Sequence, residues 1–244
     1  PCDSLGRTPS AHPVTYGIKP DKGAKMPNTE AIRPMLGERW EVSNDNTVYT
    51  FKLKSGVKFQ SGNPVDADSV VYSLDRVAKS SSGSFLYGMA AIKTVTAKDD
   101  STVEIALTNA NHNFLQILAM YTFSIVDKKT VEAQGADYLK THSAGSGPFT
   151  LEKWDPATEA VFTPHDDYWQ GSPKLGKVTI KFTKEASNRV LLLNKGDVDM
   201  AIEIQPKDVD TLESNSHLTV ASNSMNQILY FAINNKMKHS NTKK

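Results

Sequence analysis

The sequence predicts an α/β chain built around a mixed β-sheet, and three observations carry that expectation. Runs of apolar/polar alternation occur in pairs across turn residues, as in Tyr49-Thr50-Phe51-Lys52-Leu53-Lys54 behind Asn44-Asp45-Asn46. The period then changes to helical, with Val70, Val71, Leu74 and Val77 one turn apart. Further along, strands remain interleaved with helices of crossover length, which argues for α/β layering.

In chain order, residues 1–30 are rich in Pro, Gly and Lys without sustained periodicity and read as loop or disorder. A first α/β unit is expected over 31–142. It opens with a hairpin of residues 40–43 and 49–54, then a helix near 66–79 with Asp66 or Asp68 as N-cap. A second hairpin joins 92–98 to 102–107 through Asp99-Asp100-Ser101. An apolar helix near 112–120, a short strand at 123–126 and a helix at about 127–134 complete this unit. The small residues Ser143-Ala144-Gly145-Ser146-Gly147 mark a boundary. The second unit, 143–235, reads as strands near 148–154, 158–164 and 177–183, a helix at 187–195 and a strand at 198–202. A helix at 206–213 and strands at 217–221 and 226–233 follow. Residues 236–244, with four lysines, read as a solvated tail.

Composition narrows the function. A chain of 244 residues can bury a sizeable core. Its formal net charge is +1, and the lysines of the last nine residues more than account for it, so the body is mildly acidic and no basic stripe points to nucleic acid. The one cysteine, Cys2, allows neither an internal disulfide nor a zinc site, and no cofactor is expected. Because Cys2 follows Pro1 with no apolar leader, it reads as a remnant, with lipid attachment as the alternative. No apolar run is long enough to span a bilayer as a helix. Neither nucleotide-binding glycine loop occurs.

Three groups invite a catalytic reading. Ser146 lies between two glycines, but a nucleophile elbow needs Gly-x-Ser-x-Gly between strand and helix, and this segment leads into a strand. The rival function is therefore a serine hydrolase with Ser146 as nucleophile and His142 or His165 as base. His165-Asp166-Asp167 reads as a turn with solvated carboxylates, since neighbours on a strand face opposite ways and do not converge on one ion. Asp197 and Asp199 share a face at period two, a geometry open to a carboxylate pair, but no third group at informative spacing supports hydrolysis. Trp40, Trp154 and Trp169 are of a kind that often lines solute clefts.

Five segments carry a resemblance. They are the 40–74 hairpin-turn-helix, Gly145-Ser146-Gly147-Pro148-Phe149, Asp166-Asp167-Tyr168-Trp169, Leu193-Asn194-Lys195-Gly196-Asp197-Val198-Asp199, and Leu229-Tyr230-Phe231-Ala232-Ile233-Asn234-Asn235. In this order they resemble the first lobe of family-5 solute-binding proteins of ABC importers. The resemblance implies a type II periplasmic-binding-protein-like lobe, truncated at both ends, with no enzymatic activity. It also implies that Gly196 caps a helix, that Asp197 faces water and Asp199 opens a core strand, and that Trp40, Trp154 and Trp169 sit in the core or in surface turns rather than in the cleft. It further implies a peptide or similar small solute, a membrane permease as partner, and a periplasmic or extracellular location. A single lobe is expected to bind its solute weakly or not at all, and to self-associate through the face turned to the absent lobe. If a ligand surface exists, it is expected at Ser143, Gly145 and Ser146 in the boundary loop and at Glu203 and Ile204 after the 198–202 strand. Asn226 and Tyr230, near the presumed hinge, are the remaining candidates. No metal ligand is expected.

Overall fold

The protein is described by a computed structural model covering residues 14–16, 32–135 and 137–221. Strands β1 (Val14–Tyr16) and β2 (Ile32–Pro34) pair antiparallel. β1 lies inside the stretch expected to be loop; its residues favour extended backbone, but three residues are too few to show a period.

A four-stranded antiparallel sheet follows, in the order β3 (Gly37–Val42), β4 (Val48–Leu53), β6 (Thr102–Leu107), β5 (Ile92–Asp99). The first hairpin turns where Asn44-Asp45-Asn46 predicts, with Asn46 at φ 57°, a left-handed conformation that Asn tolerates. Period two is visible in burial: Tyr49, Phe51 and Leu53 of β4 and Val103, Ile105 and Leu107 of β6 all face inward. Helix α1 (Ala67–Lys79) lays Val70, Leu74 and Val77 on that face. Its cap is Asp66, whose carboxylate accepts the Ser69 amide at 2.8 Å. Short helices α2 (Ser84–Met89) and α3 (Phe114–Leu118) close the core, where the Phe114 ring packs at a tilt against Tyr49, 4.5 Å between ring centroids.

The 123–126 segment is not a strand. Residues Tyr121–Phe123 form a 3₁₀ turn, and the Val126 amide donates to Ser73 Oγ at 3.0 Å. Its neighbour is a helix side chain rather than a strand edge, so no ladder can form. Helix α4 (Lys128–Gln134) follows, capped by Asp127.

A three-stranded antiparallel sheet comes next: β7 (Phe149–Asp155), β8 (Glu159–Pro164) and β9 (Val178–Lys181), with a bulge between Leu151 and Lys153. Helix α5 (Ala186–Lys195) ends at Gly196, which is left-handed at φ 74°. Helix α6 (Pro206–Glu213) starts with Pro at a position that needs no amide. Residues 198–202 and 217–221 are irregular rather than strands. Glu203 takes φ 56° and its carbonyl is held by Arg189 Nη2 at 2.9 Å, while the Leu218 amide closes a turn on Asn215. Asp199 accordingly opens no core strand and is exposed. Every strand pair among the described residues is antiparallel, so the parallel pairing of the expected mixed sheet is not among them. The expected strand at 226–233 lies outside the described residues.

Candidate functional site

The site is assembled from two loops far apart in sequence. The first leaves β4 and returns to α1. Phe59 is fully buried and anchors it. The Phe59 amide donates to the Asn63 carbonyl at 2.8 Å and the Gly62 amide to the Phe59 carbonyl at 2.9 Å. Gly62 sits at φ 89°, where an L side chain is strained. This tight turn turns Gln60, Ser61 and Asn63 away from the core.

Those three side chains meet the segments before α4 and β7. Ser61 Oγ and Asn63 Nδ2 donate to Asp127 Oδ2 at 2.6 and 2.8 Å. Asp127 is buried and also caps α4 through the amides of Lys129 and Thr130. Burial raises its carboxyl, but the donors Ser61, Thr130 and Asn63 outweigh that and hold it below the usual carboxylate range. The Asp127 amide donates to Ala144 O at 2.8 Å, so the same residue steadies the 143–149 loop. Gln60 holds that loop from the other side. Its amide donates to Gly145 O at 2.9 Å, Nε2 to Gly147 O at 3.3 Å and Phe149 O at 2.7 Å, and Oε1 accepts Ser143 Oγ at 2.9 Å. Sequence reasoning missed both Gln60 and Asp127. An Asp ahead of a helical run is a readable cap signal, but nothing in the pattern joins residue 60 to 143–149.

Beside this junction runs an open groove of about 460 Å³, lined by Lys58, Gln60, Thr150, His165, Asp166 and Asp167 among others. His165 Nδ1 lies 3.2 Å from Gly147 O, and Asp166 and Asp167 are exposed in a turn. Among the described residues, no group of His, Cys, Asp and Glu is arranged to hold a metal ion, and no helix is long and apolar enough to cross a membrane.

Of the expected ligand residues, Ser143, Gly145 and Ser146 do come together. Ser143 is half-buried, its hydroxyl donating to Gln60 and accepting the Leu151 amide at 3.3 Å. Gly145 and Ser146 are buried. Glu203 is exposed and Ile204 half-buried, on the separate segment before α6. Asn226 and Tyr230 lie outside the described residues. Among the described residues, Ser146 Oγ has no hydrogen-bond partner, His142 Nδ1 pairs with Thr141 Oγ1 at 2.9 Å, and His165 turns to Gly147 O. Among the described residues, this arrangement gives the buried serine no base. Trp40 and Trp169 pack on the main core, with Lys54 Nζ 5.7 Å over the Trp169 ring, whereas Trp154 is 42% exposed and meets Phe182 edge-on at 5.5 Å.

Known proteins place this architecture. The probable D,D-dipeptide-binding periplasmic protein DdpA of Escherichia coli (strain K12) is 30% identical over 226 residues, 91% of this chain and 43% of that protein. Among solved structures, the PBP AgaA of A. tumefaciens R10 in complex with agropinic acid superimposes with TM-score 0.74 at 29% identity, over 85% of this chain and 40% of that one. The ABC transporter-associated periplasmic binding protein DppA of Helicobacter pylori, in complex with peptide STSA, gives TM-score 0.71 at 27% identity, over 85% and 43%. The fold is thus that of type II periplasmic binding proteins, and this chain spans about two fifths of the length of these relatives. The family model for "Bacterial extracellular solute-binding proteins, family 5 Middle" matches residues 31–244, and its members are substrate-binding proteins rather than enzymes. The chain belongs to the family-5 extracellular solute-binding proteins of bacteria.

Proposed function

We propose that this chain forms one lobe of the solute-binding component of an ABC importer, acting on peptides or similar small solutes outside the cytoplasm and delivering them to a membrane permease. The observation that carries this is the family match over 31–244, joined to relatives whose names specify dipeptides. The ligand wall in this reading is the 143–149 loop with Ser143, Gly145 and Ser146, together with Glu203 and Ile204 on the segment before α6 and with Asn226 and Tyr230. Units 31–142 and 143–235 are its two subdomains. Solute is gripped when a second lobe closes on this wall by hinge motion, so one lobe binds weakly. The apolar residues left exposed beyond residue 149 support self-association of the isolated lobe.

A thermal-shift series with Ala-Ala, a tripeptide, nickel–histidine and a sugar tests this. The midpoint is expected to rise with the peptides, reaching about 1.4 kcal/mol of added stability at tenfold excess over Kd. A rise confined to the sugar, or cleavage of the peptide during incubation, would overturn the reading.

A further inference from the structure

We infer that Gln60 is the positioning residue that sets the shape of the 143–149 loop, and through it the affinity of the ligand wall; the second clause rests on the solute-binding function proposed above. Residue 60 meets this loop at four places within seven residues, all across a sequence separation of more than eighty. Its side chain donates twice, to Gly147 O and Phe149 O, and accepts once, from Ser143 Oγ. Among side chains of this length only a carboxamide combines two donors with an acceptor in one plane. The network also fixes which way the amide faces, because the reversed group would set Oε1 against two carbonyl oxygens. An ionised Glu has no donor for those carbonyls, Lys has no acceptor for Ser143, and Leu has neither.

The platform beneath Gln60 is rigid for independent reasons. Phe59 is fully buried on one side, Gly62 closes the turn at φ 89°, and Ser61 and Asn63 are tied to the buried Asp127 carboxylate. The loop is therefore clamped between a fixed turn and Asp127, which takes the Ala144 carbonyl. Ser143 carries the clamp into β7 by accepting the Leu151 amide next to the bulge. Gln60 thus acts through the loop backbone, and the loop's conformation depends on the chemistry of one side chain rather than on burial of its own residues alone.

Hydrogen–deuterium exchange of this chain tests the inference in Gln60→Glu and Gln60→Leu. In both variants at pH 7, peptides covering 143–151 are expected to exchange about tenfold faster than in the parent, the equivalent of one or two lost hydrogen bonds. Peptides covering 92–107 should be unchanged. At pH 4 and below, the carboxyl of Gln60→Glu takes up a proton and regains a donor, so its ratio to the parent measured at the same pH should fall, while that of Gln60→Leu should not. That pH-dependent recovery is a signature that a merely space-filling role cannot give. Ratios within about twofold of the parent in both variants, or equal acceleration of 92–107, would overturn the inference. Calorimetric titration with Ala-Ala separates the two readings. If the parent binds, both variants should raise Kd about tenfold while still melting cooperatively, and an unchanged Kd overturns the positioning role. If the parent does not bind Ala-Ala, as a single lobe without its closing partner allows, the positioning role stands or falls on the exchange data alone, and the peptide reading is left to the thermal-shift series above.

Discussion

Asp127 shows how one side chain can hold two loops and a helix at once. It is 1% exposed, receives Ser61, Asn63 and the Lys129 and Thr130 amides, and gives its own amide to Ala144. Removing it in Asp127→Ala leaves several partly buried donors unmet and uncaps α4, so we expect a loss of about 2 kcal/mol in urea unfolding. A loss below about 1 kcal/mol would mean that the donors find water instead. The pH dependence has a definite sign. Because the folded carboxyl lies below its ordinary value, the unfolded chain takes up the proton first, and stability rises with pH in that range. The contribution is fully present above the unfolded Asp value of about 3.9 and is lost as pH falls through the lower folded value. Asp127→Asn should flatten that acid limb, which a urea series from pH 2 to 6 measures.

At the scale of elements, α1 offers a discriminating pair. The sequence leaves Asp66 and Asp68 open as caps, and the fold assigns the role to Asp66, whose carboxylate meets the Ser69 amide. Asp68 instead faces Lys128 at 3.7 Å on an exposed surface. Asp66→Ala is therefore expected to cost about 1 kcal/mol and Asp68→Ala less than half of that. Comparable losses in thermal unfolding would contradict this assignment. The contrast also explains what was legible. The two hairpins of the first sheet, α1, α4, α5, α6 and the three strands of the second sheet lie where period and turn chemistry put them, because each is fixed by residues close together in the chain. The strands expected at 123–126, 198–202 and 217–221 failed because a strand needs a partner, which local pattern does not reveal. Val126 found Ser73, and Glu203 found Arg189. The boundary loop could be read from its small residues, whereas its clamp could not, since Gln60 acts across eighty residues without any periodic mark.

For the whole molecule, the distribution of exposed apolar side chains differs between the two sheets. The first sheet buries its inner face under α1, and nearly all of the main core lies there. The second sheet has no equivalent cover among the described residues, and α5 has no buried residue at all. Trp154 and Ile180 lie in one row through Ala160, and Phe182 meets Trp154 at 5.5 Å. Leu191, Met200 and Ile202 are 49%, 52% and 68% exposed on the segments that follow. Apolar side chains are costly to leave in water, so a second copy of the chain is the partner available to them in a purified sample. Sedimentation equilibrium should show mass rising toward a dimer at concentrations on the order of 100 µM, a free energy near that of a weak complex. Ile180→Lys combined with Leu191→Lys should keep the chain monomeric over the same range. Both positions are exposed, so the melting temperature of the monomer should hold within a few degrees. A monomer at every concentration in the parent chain would show that the patch is too divided to drive association. A dimer unaffected by the double substitution would move the interface to α2 and the 121–123 turn, where Phe85, Met89 and Tyr121 are the exposed alternatives.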